Sequence, residues 1–167
     1  MAMLIKAEGG GFHAEMDDFQ SVVDDQPIPD GKLILSLKRF ETDGEVLLAQ
    51  GRAVGVRIEP DEAVEDLTPF LPRLAVVALS LPKFRDGRAF SSAHILRTRL
   101  GYTGQVRAVG EVLREQAGMM ARCGFDAFEP SDGSSPEAWA KVVNRHRHVY
   151  QSAADHHVPA FARRLGG

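Results

Sequence analysis

Half-cystine pairs are missing from this 167-residue chain: Cys123 is its one cysteine, so no intrachain disulfide can form, and a reducing, cytoplasmic setting is expected. No stretch approaches the roughly 20 apolar residues of a membrane helix. Met1–Met16 lacks the charged start, apolar centre and cleavage site of a signal peptide, so none is expected there. Aromatics are few, at 7%, and the net charge of −3 argues against non-specific nucleic-acid binding. Also absent are GxxxxGK[ST], a GxGxxG after a strand, CxxC, GxSxG and HExxH. Nucleotides and redox cofactors thus have no recognisable cradle, and no cofactor is expected.

What is present is a charge asymmetry. Lys83, Arg85, Arg88, Arg97, Arg99, Arg107, Arg114 and Arg122 face only Asp86, Glu111 and Glu115 within residues 83–122, a surplus of +5, so the remainder carries −8. One face suited to anions is implied.

The periodicity divides the chain into a poorly packed lead-in (1–31), a single α/β domain (32–151) and a C-terminal tail (152–167). Pro27, Pro29 and Asp30-Gly31 signal a turn before strand-like Lys32–Phe40, and Glu45–Ile58 reads as extended. Pro60 and Asp61 open a helical segment with Ala63, Leu67, Phe70 and Leu71 on one face, ended by Pro72. Leu74–Leu79 is a continuous apolar run, as in a strand covered on both faces. Ser91 is a plausible N-cap for a helix through Leu100. Gln105–Val109 is a further strand, and Gly110–Gly124 holds a helix with a glycine stop. Phe125–Glu129 is the last strand, and Pro136 starts the last helix. Strand–helix units at this spacing predict an α/β fold with a mainly parallel sheet. An open three-layer sheet is the first choice, a half-barrel that closes as a dimer the second, with an N-terminal strand pair at one edge.

Ligands in such folds collect at the carboxyl ends of strands. The segment after Leu74–Leu79 supplies Lys83, Arg85, Asp86 and Arg88, then Ser91 at a helix start whose N–H groups favour anions. The alternative is surface charge, with Asp86 pairing an arginine to stiffen the loop. Arg107 lies inside a strand, so it requires a carboxylate or an anion; Asp86, Glu111 and Asp126 are the candidate carboxylates. Arg114, Gln116, Arg122 and Cys123 are secondary candidates. The cysteine reads first as a small buried hydrophobe, and a thiol at a helix C-terminus is not activated. His146, His148, His156 and His157 lack metal-ligand spacing, so no metal is expected.

The text LPKFRDGRAFSSAHILRTRLGYTGQVRAVGEVLREQ, followed by RCGFDAF, resembles the bacterial domain of unknown function 934 family. The likeness covers most of residues 55–151, up to Tyr150-Gln151. Leu81 stands where the family more usually has an aromatic, and Glu115 where it has Asp. The resemblance implies a role beside sulfite reductase, and an oxidoreductase label often travels with the family; no catalytic residues come with it. Three readings remain: an accessory protein binding the reductase or a small oxyanion through the Arg-rich face, a small enzyme acting on an oxyanion or sulfur compound, and a structural homodimer module. Whether the chain is an enzyme is left open. A concave pocket where Asp86 and arginines converge marks the enzyme; an apolar exposed patch marks the binding module.

Overall fold

A computed structural model of the chain describes residues 3–9, 11–83 and 86–144. Its strands are β1 (Met3–Glu8), β2 (Gly11–Met16), β3 (Phe19–Ser21), β4 (Lys32–Ser36), β5 (Val54–Ile58), β6 (Val76–Leu81), β7 (Gln105–Gly110) and β8 (Ala127–Phe128). Its helices are α1 (Leu37–Ala49), α2 (Arg88–Thr98), α3 (Ala117–Cys123) and α4 (Pro136–Asn144), with 3₁₀ turns at Val64–Leu67, Leu71–Arg73 and Arg114–Gln116.

All eight strands share one sheet in the order β2-β1-β8-β7-β6-β5-β4-β3. From β3 to β8, each strand lies parallel beside the next one in the chain. Right-handed crossovers that always step the same way put every helix on the same face. Phe40, Leu47, Ala93, Leu96, Ala117, Met120 and Trp139 accordingly join one core with Leu35, Val56, Val77, Leu79, Val106 and Ala108 of the strands. The sheet is therefore a curled half-barrel, and the open three-layer arrangement is corrected: helices on both faces would require the strand order to reverse. β1 and β2 are the antiparallel pair at the edge.

The curl shows in one connection. β2 and β3 stand at opposite edges of the sheet, yet Asp17-Asp18 alone joins them. Three Cα–Cα steps span at most about 11 Å, so the two edges curve toward each other at that end.

Several expected elements shift. Residues 1–31 are no loose lead-in: three strands lie there, and Leu4 and Ile5 are buried. The strand expected over Lys32–Phe40 stops at Ser36, whose hydroxyl accepts from the Arg39 N–H and caps α1. The extended reading of Glu45–Ile58 is overturned as far as Ala49, because α1 continues that far on the buried faces of Phe40, Gly44 and Leu47. The helix after Pro60 is two 3₁₀ turns; its prolines Pro69 and Pro72 each remove a helical N–H. α3 stops as expected at Gly124, in the left-handed region at φ 115°.

Candidate functional site

The concave face of the half-barrel carries a transverse row set by register: Ser36, Arg57, Ala78, Arg107, Ala127 and Lys6. Arg107 is 1% exposed, and a guanidinium so placed needs its donors satisfied. Nη1 donates to Asp17 Oδ2 at 2.6 Å and Nη2 to Asp17 Oδ1 at 3.0 Å. Nη1 also meets Glu129 Oε1 at 3.1 Å, Nε donates to Gln105 Oε1 at 2.9 Å, and the Phe19 ring lies 5.6 Å from the guanidinium carbon. The carboxylates expected for this arginine were Asp86, Glu111 or Asp126; those that hold it are Asp17, 90 residues away in the β2–β3 connection, and Glu129. With two carboxylates on one cation, the cluster is already net negative. Arg107 is a strut across the concave interior.

Asp86 lies between β6 and α2. The Asp86 carboxylate accepts from the Arg88 backbone N–H at 3.2 Å and from its Nε at 3.0 Å, and pairs with Nη2 at 2.7 Å. Those Arg88 donors hold the Asp86 carboxyl below its ordinary range and raise Arg88 in turn. An internal carboxylate thus covers the start of α2, the loop-stiffening arrangement. Gly87, not Ser91, is the N-cap; Ser91 lies one turn inside α2 and is exposed. Lys83 is exposed, and Arg85 is outside the described residues. Arg107 projects from the face opposite to α2, so the structure does not bring it together with Lys83, Arg88 and Ser91.

Other cations of the segment also have internal partners. Arg97 donates to the carbonyls of Gly124 (3.0 Å), Tyr102 (2.8 Å) and Gly104 (2.7 Å), and pairs with Asp126 at 3.1 Å. Burial raises the Asp126 carboxyl above its usual range, against the pull of Arg97. Arg99 reaches Glu65 at 3.9 Å and Arg114 reaches Glu115 at 3.4 Å. The surplus of +5 read along the chain is largely neutralised in space.

What the fold does create is a groove of about 550 Å3 between α2 and α3. Gly87, Phe90, Ser91, His94, Ile95, Gln116, Met119 and Cys123 line it. Phe90, Ile95 and Met119 make it apolar, and Met119 is 62% exposed. Ser91, Gln116 and Cys123 therefore come together in this groove. Cys123 is half-buried rather than buried, and it, Gln116 and Arg122 are all engaged by neighbours. The groove has no carboxylate among its lining residues, and no group of three metal-ligating side chains occurs among the described residues. His146, His148, His156 and His157 lie outside them.

Phe90, His94, Ile95 and Met119 were not singled out in the sequence. Their spacing along α2 (90, 94, 95) is the signal: it extends the apolar face past Ala93 and Leu96 toward α3. No helix of the described residues is long and apolar enough to cross a membrane. Residues 55–161 match the family model described as a bacterial protein of unknown function (DUF934). No curated protein matches the chain.

Proposed function

The chain belongs to the DUF934 family, which brings no assigned chemistry, and from the groove we propose that the protein is a non-catalytic accessory protein that holds a partner between α2 and α3. The groove carries this reading: its lining is apolar, it is open beside the exposed Met119, and the described arginines around it are bound internally instead of converging on a small anion. Two helices framing such a groove suit an apolar helix or strap from another protein. The resemblance of the sequence to proteins encoded beside sulfite reductase makes that enzyme the partner to test first.

Biolayer interferometry between the chain and purified assimilatory sulfite reductase tests it. Binding should be measurable for the native chain and at least tenfold weaker for Met119→Glu, which puts a charge into the apolar contact. No binding, or equal binding by the variant, overturns the reading.

The second reading, a small enzyme acting on an oxyanion or sulfur compound, draws on Ser91, His94, Gln116 and Cys123, which share the groove. It predicts sulfite binding by calorimetry that His94→Ala abolishes. Absence of heat removes it.

A further inference from the structure

The two edges of the half-barrel differ in how they are protected. β3 has three residues and is followed by a segment with Pro27 and Pro29, which blunts that edge. β2 has six, each paired with β1 without a bulge from Met3↔Met16 to Glu8↔Gly11. It contains neither proline nor lysine, four of its last five residues are exposed, and no described strand pairs with its outer side. Met16 and its register partner Met3 are 58% and 59% exposed.

We propose that β2 pairs antiparallel with β2 of a second copy of this chain, joining two half-barrels into one continuous sheet. The residues select the register. A two-fold axis normal to the sheet keeps every side chain on its own face, so the numbers of opposed residues add to an even value. A sum of 26 sets His13 against His13 of the second copy, and 30 sets Glu15 against Glu15, each placing like groups together. At 28, His13 opposes Glu15 twice, Ala14 meets Ala14 at the axis, and Met16 opposes Phe12 twice.

That register also explains the exposed methionine. Phe12 is half-buried on the helix-covered face, its ring 5.9 Å from that of Phe128 and 6.0 Å from that of Trp139. Met16 of the second copy would extend this aromatic cluster, and thioether–aromatic contacts of this kind are favourable. On the concave face, Lys6 already lies 3.9 Å from Glu15 and opposite His13 in the ladder. Each His13–Glu15 pair across the axis would set an imidazole beside a carboxylate that Lys6 also approaches.

Sedimentation equilibrium with a register-specific swap tests the proposal. The native chain should dimerise. His13→Glu sets two pairs of glutamates in opposition and should raise the dissociation constant at least tenfold. Adding Glu15→His to that variant exchanges the two residues, keeps an acid beside Lys6 and should restore the dimer. Under oxidising conditions Ala14→Cys should give an interchain disulfide, since directly opposed Cβ atoms lie within about 5.5 Å, whereas Gln20→Cys on the β3 edge should not. A chain that stays monomeric at its highest soluble concentration overturns the proposal. So does a dimer indifferent to His13→Glu, or a cross-link at Gln20→Cys and not at Ala14→Cys. His13 is exposed, so the variants should keep the native circular dichroism, and the restoring double variant excludes misfolding as the cause.

Discussion

Deleting the Asp17 carboxylate is the sharpest perturbation of the fold. In Asp17→Ala, Arg107, 1% exposed in the native chain, loses the two-pronged partner at 2.6 and 3.0 Å and keeps Glu129 and Gln105. Breaking a buried pair by removing one member costs about 3–5 kcal/mol, and the surviving Glu129 contact sets the cost near the lower end, about 3 kcal/mol. At roughly 2–4 °C per kcal/mol for a domain of this size, the melting temperature should fall by about 6–12 °C. The double variant Asp17→Leu/Arg107→Leu should recover most of the loss, because it removes the stranded charge along with its partner. Thermal unfolding followed by circular dichroism measures both, and hydrogen exchange should rise in β2 and β3 of the single variant. A drop below about 2 °C for Asp17→Ala, or additive losses in the double variant, would refute the strut.

Further predictions concern Tyr102, Gly110 and Asp126. Tyr102 donates to the Leu74 carbonyl at 3.1 Å; Tyr102→Phe strands that acceptor and should cost about 1 kcal/mol in urea unfolding. Burial raises the Tyr102 pKa above its ordinary 10.0, so its contribution to stability should be full below pH 10 and lost as pH climbs through the folded value. Gly110 sits at φ 96°, where an added Cβ would lie 2.5 Å from the Leu81 carbonyl oxygen, so Gly110→Ala should cost more than about 1 kcal/mol by the same assay. Burial likewise raises Asp126 above 3.8: its stabilising contribution is full below that pH and declines as pH rises through the folded pKa. A carbon-13 titration midpoint below 3.8 would contradict this.

Strand β6 was legible because its sequence is nearly all apolar, and strands buried on both faces leave that mark wherever they sit. Val76–Leu81 and Gln105–Gly110 fall within two residues of their expected places. In the first third, a strand pair at the edge and a strand starting at Lys32 were expected and are found, but the element bounds were not legible. Leu33, Leu35 and Leu37 keep a two-residue alternation beyond the point where Ser36 turns the chain into α1, and Gly44 sits mid-helix for a tertiary reason. A Cβ there would come within 2.3 Å of the Phe40 ring. Edge strand β2 is exposed on much of its length, so its composition resembles a loop. Arg107 could be recognised as needing a carboxylate, but its identity could not: closure of the sheet, not sequence distance, brings Asp17 to it. The groove was half legible. Ser91, Gln116 and Cys123 were candidates for separate roles, and only the packing of α2 on α3 makes them neighbours.

The central claim is that the α2–α3 groove receives a partner protein, and Cys123 in its wall offers a footprint. The rate of thiol labelling by iodoacetamide, measured with and without saturating sulfite reductase, tests it most directly. Labelling of the half-buried thiol should be measurable in the free chain and at least tenfold slower in the complex. A complex that forms while Cys123 reacts at an unchanged rate would contradict the account.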